Sequence, residues 1–497
     1  MTKQIIDASE IARQQNYIEQ IGLCQADYRS GTGFSRRYFI QTYGCQLNEN
    51  DSEQLAGQLD LMGYTPAEEL READLIVLNT CSVRENADDR LFGNLGIIKN
   101  LRRDKPDLII ALCGCMMKQT EHVEKIRRSY SFVDIIFGPQ DIYRLPELLY
   151  HRLTDRRRVY EVGAEDTVVE GLPVHRARKF RALISIMFGC NNFCTYCIVP
   201  YTRGRERSRH PEAILAEVKQ LAESGYKEVL LLGQNVNSYG QDLKIKGNMP
   251  TDFAELLTAI AELGGLKRIR FMTSHPKDLS DKVLEAMAGC PAIEPHLHLP
   301  LQSGSDRILK LMNRHYTRDQ YLTIVRKARQ MIPGLAITTD LIVGFPGETE
   351  EDFAETLSLM SEVQFDSAFT FQYSKRNGTP AAEMDEQISA EVVRERFGRL
   401  VDLQNKHSLA SNEKIIGQSV EVLIEGISES APGILTGRTA SSKLINFTVP
   451  FMDMLPENFR LADGTPDGEA LEGRLALVRL LRAKTFSIEG EMEQLLP

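Results

Sequence analysis

Short apolar runs that alternate with longer amphipathic segments constrain the fold of this chain more than any other feature. The runs are rich in isoleucine, valine and leucine, end at small or polar residues, and precede segments with helical spacing. Buried parallel strands have this appearance because helices cover both faces of their sheet. The alternation therefore predicts an α/β protein, and 497 residues are too many for one hydrophobic core, so we expect several domains.

Four runs in the first third of the chain predict an open parallel α/β sheet over residues 37–153. Three of them end at a cysteine, namely "RYFIQTYGC" at Cys45, "ADLIVLNTC" at Cys81 and "DLIIALCGC" at Cys115, and the fourth is "FVDIIFGP". The carboxyl ends of parallel strands meet at one edge of a sheet, where α/β domains bind ligands. These cysteines are therefore expected to converge. The order of the extension at residues 1–36 is left open.

Six further runs, each followed by a helical pattern, predict a partial (β/α)6 barrel over residues 181–410. They are "ALISIMFGC", "EVLLLGQN", "RIRFMTS", "HLHLPLQS", "AITTDLIVGFP" and "SAFTFQYS". Barrel enzymes place their active site at the carboxyl ends of the strands, and the first run ends at Cys190. The charged residues 154–180 before the barrel are predicted to be a linker, with a hairpin as one option.

The end of the chain has a different pattern, which predicts a third domain over residues 411–490. Short alternating stretches are separated by glycine, proline, serine and aspartate, as in a small antiparallel β-barrel of the OB-like kind. Such barrels are common as RNA-binding appendages. The segment is net acidic, so any RNA contact must be local, and Arg438 and Lys443 are the candidates.

The stretch "CNNFCTYC" is the strongest chemical signal, because Cys190, Cys194 and Cys197 lie close enough for one loop to enclose a metal centre. Structural zinc takes four ligands, and His210 is the nearest candidate for the fourth. A 4Fe-4S cluster also usually takes four cysteines, and one that is held by three keeps an iron open. The spacing leaves both possibilities open, together with three unrelated core cysteines.

Composition narrows the class of protein. The chain has no apolar stretch of the length of a signal peptide or membrane span, so we expect a cytoplasmic protein with reduced thiols and no membrane partner. Nine cysteines in that compartment indicate metal binding or catalysis. The net charge of -10 argues against a general nucleic-acid binder, whose surface would be basic.

The motifs together resemble a known family. Cys190, Cys194 and Cys197, with Tyr196 before the last of them, at the first strand end of a six-unit barrel, resemble the radical S-adenosylmethionine superfamily. Its methylthiotransferase family also has an amino-terminal domain with three strand-end cysteines and a small carboxyl-terminal barrel called TRAM, so the resemblance covers roughly residues 37–490.

This resemblance implies two 4Fe-4S clusters with S-adenosylmethionine as cosubstrate. The barrel cysteines would hold the cluster whose open iron binds S-adenosylmethionine. The auxiliary cluster would be held by Cys45, Cys81 and Cys115, of which the last matches the Gly-Cys pattern of the family, and Cys113 is a competitor. The chemistry is carried by the clusters, and no acid or base side chain is assigned.

The resemblance also implies contacts to S-adenosylmethionine at the strand ends. Besides Tyr196, the residues at matching positions are Gly233, Gln234, Ser274, Gln302 and Gly344. Plain turns after buried strands would give the same residues. Arg203 and Arg205 are candidates for contacts to RNA phosphate or to the methionine carboxylate, with a solvated charged face as the alternative.

Within the family, "TYGCQLNENDSE" and "NTCSVRENADDRLFGNLG" resemble the branch that acts on isopentenylated adenosine in tRNA. This implies insertion of a methylthio group at carbon 2 of the adenosine at tRNA position 37, with one S-adenosylmethionine as methyl donor and a second as radical source. The implied partners are tRNA and an electron donor such as flavodoxin or ferredoxin, with the chain a monomer. Alternatives are threonylcarbamoyl-adenosine tRNA, an aspartate of a ribosomal protein, or a non-catalytic metal-containing RNA-binding protein.

Overall fold

The structure is a computed structural model that describes residues 4–6, 8–82, 86–163, 167–243, 249–429, 431–451, 453 and 455–497. The parts of the predicted extension at residues 1–3 and 7, and of the predicted linker at residues 164–166, lie outside the described residues. The described ranges contain a parallel sheet, a half-open barrel and a closed barrel in chain order. This confirms the predicted fold class.

The amino-terminal domain is a parallel sheet with helices on both faces. Its strands are β1 (Gln4–Ile5), β2 (Arg37–Thr42), β3 (Thr65–Pro66), β4 (Leu75–Thr80), β5 (Ile109–Gly114), β6 (Ile135–Phe137), β7 (Val159–Glu161) and β8 (Thr167–Val168). Its helices are α1 (Ala8–Thr32), α2 (Gln46–Leu61), α3 (Asn86–Asp104), α4 (Thr120–Ser129) and α5 (Leu145–Asp155). The sheet order is β3-β2-β4-β5-β6-β7, so the three strands that end at cysteines are neighbours.

The extension and the linker are integrated into this domain. Helix α1 packs on α5, where the rings of Tyr17 and Tyr150 lie 5.1 Å apart and Arg13 pairs with Glu147 at 3.0 Å. The linker contributes β7 as the edge strand of the sheet, and β8 pairs in parallel with β1. The described residues of the linker therefore join other strands instead of forming the hairpin that the sequence allowed as an option.

The central domain contains the six predicted barrel strands. Its strands are β9 (Arg181–Ser185), β10 (Met187–Phe188), β11 (Arg207–Ser208), β12 (Glu228–Leu232), β13 (Arg268–Phe271), β14 (His296–His298), β15 (Ala336–Val343) and β16 (Ser367–Gln372). Its helices are α6 (Val199–Thr202), α7 (Pro211–Glu223), α8 (Phe253–Glu262), α9 (Asp281–Gly289), α10 (Asp306–Leu311), α11 (Arg318–Met331), α12 (Glu350–Val363) and α13 (Ala390–Glu413). Two parallel sheets, β9-β12-β13 and β14-β15-β16, are joined by a bridge between Ile269 and Ile293.

The two halves of the barrel differ on their inner face. Successive side chains of a strand point to opposite faces, and Val229 and Leu231 of β12 pack in the large core shared with the helices. The alternate residues Leu230 and Leu232 pack instead with Leu47 of α2. The amino-terminal domain therefore fills the inside of the first half of the barrel.

The carboxyl-terminal domain is a closed five-stranded barrel. It consists of β17 (Ser419–Ile427), β18 (Leu435–Thr439), β19 (Leu444–Thr448), α14 (Gly468–Leu471), β20 (Leu475–Ala483) and β21 (Ile488–Leu495), and the strand order is β17-β18-β19-β21-β20. Four neighbouring pairs are antiparallel, but β19 and β21 are parallel. The small antiparallel barrel that the sequence predicts is thus present with one parallel pair, because directions cannot alternate all the way round a closed ring of five strands.

Buried arginines attach this small barrel to the central domain. Arg268 donates to the carbonyl of Arg438 at 2.8 Å, and Arg270 donates to the carbonyl of Thr439 at 2.9 Å. Both guanidinium groups are paired with Glu294. In the described ranges, no helix has the length and apolar character that crossing a membrane requires.

Candidate iron–sulfur and S-adenosylmethionine sites

Three cysteines of the amino-terminal domain lie at the carboxyl ends of neighbouring strands. Cys45 follows β2 and caps α2, Cys81 follows β4, and Cys115 follows β5. A Cβ atom placed on Gly44 would lie 2.6 Å from the Sγ of Cys81, so this thiol is next to the residue that precedes Cys45. Burial, together with the nearby Cys81 and Cys45, raises the pKa of Cys115 to about 11. The structure thus brings these three thiols together.

Gly114, the residue before Cys115, allows the end of β5 to approach the backbone of β4 closely. Its φ of +94° is in the left-handed region, and a Cβ atom there would lie 2.3 Å from the carbonyl oxygen of Thr80. Any other residue would therefore clash with β4. Cys113 packs in the apolar core between the sheet and α2.

A buried arginine from the central domain contacts the same site. Arg203 is 4% exposed, and its Nε donates to the Sγ of Cys115 at 3.2 Å. Its Nη2 donates to Asp51 at 2.6 Å and to Asn48 at 3.0 Å. Burial opposes its charge, but Asp51 and the neighbouring cysteines hold its pKa well above the usual value. This corrects the prediction for Arg203, since a side chain enclosed in this way does not reach RNA phosphate.

The second cysteine site is a single loop at the end of β10. Cys190, Cys194 and Cys197 lie between β10 and α6, and burial raises the pKa of Cys197 to about 12, with the other two thiols contributing. Such thiols stay protonated unless a metal compensates the thiolate charge. Tyr196 packs against the apolar cluster that contains Met312 and Phe345.

Hydrogen bonds from the other half of the barrel hold this loop in place. The backbone N–H of Thr195 donates to the carbonyl of Met312 at 3.1 Å. The side chain of Asn313 donates to the carbonyls of Asn192 and Phe193 at 3.1 and 3.0 Å. These bonds attach the loop to the segment that follows α10.

A second buried arginine lies beside this loop. Arg314 is 6% exposed, its Nη1 lies 3.6 Å from the Sγ of Cys194, and its Nη2 donates to the carbonyl of Pro300 at 2.7 Å. No motif around Arg314 marks it in the sequence. Asn48 and Asp51 were missed as well, although their spacing after Cys45 places them near one another on the first turns of α2.

Buried polar atoms without a partner in the described residues surround the strand ends of the barrel. Those on or beside the positions predicted for S-adenosylmethionine are Asn192 Nδ2, Gln234 Oε1, Asn235 Oδ1, Asn237 Nδ2 and Ser274 Oγ. Such atoms are costly to leave unsatisfied, so they indicate that a polar ligand or water binds there. Gln234 and Ser274, two of the predicted contacts to S-adenosylmethionine, thus each have a buried polar atom without a partner.

The remaining predicted contacts have other roles that the structure makes visible. A Cβ atom on Gly233 would lie 2.6 Å from Met187, so this glycine permits close packing after β12. Gly344 has a φ of +79°, and a Cβ atom there would lie 2.4 Å from Val393 of α13, so its close approach is to a helix. Gln302 has a φ of +70° and bonds through its backbone to Asp340 and Ile342.

The residues predicted to contact RNA differ in their exposure to solvent. Arg205 is exposed, and its guanidinium lies over the ring of Phe193 at 4.2 Å. Arg438 pairs with Glu425 at 3.4 Å and is partly exposed. The predicted RNA contact of Lys443 is corrected. Its Nζ bonds to Asp366, Ser411 and Asn412 at 2.8–3.1 Å, so this side chain joins the two barrels.

The donor sets fit iron–sulfur clusters and S-adenosylmethionine. Each site offers three neighbouring cysteine sulfurs, the ligand type that such clusters use, and unsatisfied polar atoms lie beside the barrel loop. In the described part of the chain, no group of three or more His, Cys, Asp or Glu side chains is arranged around a single metal ion.

Comparison with known proteins defines the class. The Radical SAM superfamily matches residues 184–360, and the uncharacterized protein family UPF0004 matches residues 37–138. The fold resembles that of the radical S-adenosylmethionine methyltransferase TsrM from Kitasatospora setae, with a TM-score of 0.50 and 14% identity over 70% of this chain and 77% of that one. The fold and the three-cysteine loop define a radical S-adenosylmethionine enzyme, with S-adenosylmethionine and 4Fe-4S clusters as cofactors.

Closer relatives identify the family. The tRNA-2-methylthio-N(6)-dimethylallyladenosine synthase of Acetivibrio thermocellus is 48% identical over 98% of this chain and 97% of its own length. The protein with the same name from Caldicellulosiruptor saccharolyticus is 51% identical over 88% of this chain and 92% of its own. The chain belongs to the tRNA-2-methylthio-N(6)-dimethylallyladenosine synthase family, which confirms the resemblance inferred from its motifs.

Proposed function

We propose that this protein transfers a methylthio group to carbon 2 of N6-isopentenyladenosine at tRNA position 37. The observation that carries the proposal is that both cysteine sites adjoin the inside of one half-barrel. Cys45 and Phe188 both pack against the cluster formed by Leu47 and the inner leucines of β9 and β12, and the loop of Cys190 begins directly after Phe188. A base held inside the barrel would therefore have access to both sites.

The two sites have separate roles in this proposal. Cys45, Cys81 and Cys115 are the ligands of the auxiliary 4Fe-4S cluster, and Cys190, Cys194 and Cys197 are those of the cluster that binds S-adenosylmethionine. When bound, these groups supply the sulfur, the methyl group and the radical that an unactivated aromatic C–H bond requires. In this proposal, Gln234 and Ser274 use their unsatisfied polar atoms to orient S-adenosylmethionine.

The open half of the barrel supports a nucleobase as substrate. Phe369 and Phe371 of β16 are 54% and 39% exposed and pair with Asp340 and Ile342 of β15. The ring of Phe369 lies 5.8 Å from that of His298. Aromatic side chains stack on unpaired bases, and the two exposed phenyl rings suit an isopentenyl group. An adenosine flipped out of its loop would fit this surface.

Partners and location form the rest of the proposal. The chain acts as a monomer on tRNA in the cytoplasm, and flavodoxin or ferredoxin supplies electrons. The exposed Arg205, above the loop of the barrel cluster, and the partly exposed Arg438 are the remaining candidates for contact with RNA. Their exposure supports this role, whereas Arg203 and Lys443 are enclosed.

Nucleoside mass spectrometry tests the proposal. Cells that lack the protein should lose the methylthio mark and accumulate N6-isopentenyladenosine, and the chain should restore the mark. Anaerobically reconstituted protein should modify an isopentenylated anticodon stem-loop, but not a stem-loop that carries threonylcarbamoyl-adenosine or a ribosomal protein. Turnover on either of these, or a colourless protein without turnover, would contradict the proposal.

A further inference from the structure

Arg203 connects the two cysteine sites through a short segment of the chain. It comes six residues after Cys197 and directly follows α6, at the end of the loop that carries the barrel cysteines. Its hydrogen bonds to Asp51, Asn48 and Cys115 all cross to the amino-terminal domain. One domain therefore supplies the cation, and the other supplies the thiols.

The network around Arg203 extends to the other cysteines of the auxiliary site. The Oδ1 of Asn48 that accepts from Arg203 lies 3.5 Å from the Sγ of Cys45. The Nδ2 of Asn48 donates to the carbonyl of Thr80, the residue before Cys81, at 2.8 Å. Asp51 balances the buried positive charge at 2.6 Å. A single guanidinium is thus linked to all three segments that carry the cysteines.

We propose that Arg203 is a positioning residue of the auxiliary iron–sulfur site, which holds the cysteines in place and favours the reduced form of the cluster. The inference rests on the proposed cluster at Cys45, Cys81 and Cys115. Hydrogen bonds to cluster sulfurs and nearby charge set reduction potentials. An N–H donor on Cys115 and a buried cation both stabilise added negative charge, and low solvent exposure strengthens the effect. The auxiliary site is therefore complete only when the barrel is docked.

The reduction potential of the auxiliary cluster tests this role. In a full-length background in which Cys190, Cys194 and Cys197 are alanine, an anaerobic redox titration followed by EPR reports only that cluster. We expect Arg203→Met to disfavour reduction about tenfold, which is 59 mV for one electron. Arg203→Lys keeps the charge and should restore at least half of that shift.

Arg176 provides the matched control. It is also a mostly buried arginine between domains, paired with Glu217 at 2.6 Å and with Glu53 at 3.6 Å. It bonds to these carboxylates and to the carbonyl of Leu183 rather than to a cysteine. Arg176→Met should therefore leave the potential unchanged. An unchanged potential in Arg203→Met, or an equal shift in Arg176→Met, would overturn the proposal.

Other outcomes are also decisive. Loss of the cluster from Arg203→Met but not from Arg176→Met, with the melting temperature of the apoprotein unchanged, would support positioning, and equal loss from both would overturn it. If Arg203→Met does not fold, the pair Asp51→Asn with Arg203→Met leaves no orphaned carboxylate, and a parental potential in that pair would overturn the proposal. If the background protein itself binds no cluster, the proposed ligand set is wrong instead.

Discussion

Replacing Phe369 with alanine should weaken the reaction with tRNA while leaving the fold intact. The side chain is 54% exposed on the inner face of β16, so less than half of its surface contributes to folding. Full burial of a phenylalanine is worth about 1.5–3 kcal/mol, and the substitution should therefore cost about 1 kcal/mol of stability. Its larger effect should fall on the substrate that stacks there.

The expected loss follows from the strength of stacking. Removing an aromatic partner costs about 1–3 kcal/mol per base, which corresponds to a decrease of about 5- to 160-fold in kcat/KM. If the ring binds substrate and transition state equally, KM should rise while kcat changes little. The assay is methylthiolation of an isopentenylated anticodon stem-loop under single-turnover and steady-state conditions.

A matched control separates stacking from general damage. Phe34 is 73% exposed and lies just after α1, in the amino-terminal domain, and Phe34→Ala should leave kcat/KM within about twofold of the parent. The reasoning would be refuted if Phe369→Ala kept the parental kcat/KM while its melting temperature showed a folded protein. An equal loss in both variants would also count against a base-binding wall.

Three further predictions concern the clusters, pH and domain docking. Cys45→Ala should remove about four iron atoms per chain and abolish methylthiolation. Cys113→Ala should keep the parental iron content and activity, and iron analysis and nucleoside mass spectrometry measure the two quantities. Burial, with help from Arg270, lowers the pKa of His296 to about 3. The unfolded chain therefore binds a proton below about pH 6.5 that the folded protein does not, which costs up to about 1.4 kcal/mol per pH unit. His296→Gln should lessen the fall in urea midpoint on acidification, and an equal fall would contradict this. Lys443→Met should lower the free energy of unfolding by up to about 3 kcal/mol and expose the segment between α13 and β17 to proteolysis. Unchanged cleavage of that segment would argue against a role of Lys443 in docking the two barrels.

The strands and the cysteines could be predicted because their signals are local. An apolar run such as that of β12 specifies a buried strand by its own composition, and the spacing of Cys190, Cys194 and Cys197 follows from the reach of one loop. Helix α1 could not be predicted in the same way, because polar residues predominate in it and much of its surface is exposed. It is held by partners on α5, about 130 residues away, that no local pattern reveals.

The candidate site shows the same division. The ligand sets were accessible because cysteine chemistry is specific, but four arginines after the loop look equivalent in the sequence. Arg203, Arg207 and Arg209 are buried, and Arg205 is exposed. A buried guanidinium requires acceptors that balance its charge, and those acceptors lie on other segments of the chain.

The sequence by itself determined the α/β architecture, the two sets of three cysteines and the family, because these depend on residue types and short spacings. Only the tertiary structure decided that Arg203 bonds to Cys115 and to Asp51, which is 152 residues away, and that the second half of the barrel is the open one. The physical reason is that burial and charge pairing depend on which distant segments share a surface. That information becomes available only when the domains pack together.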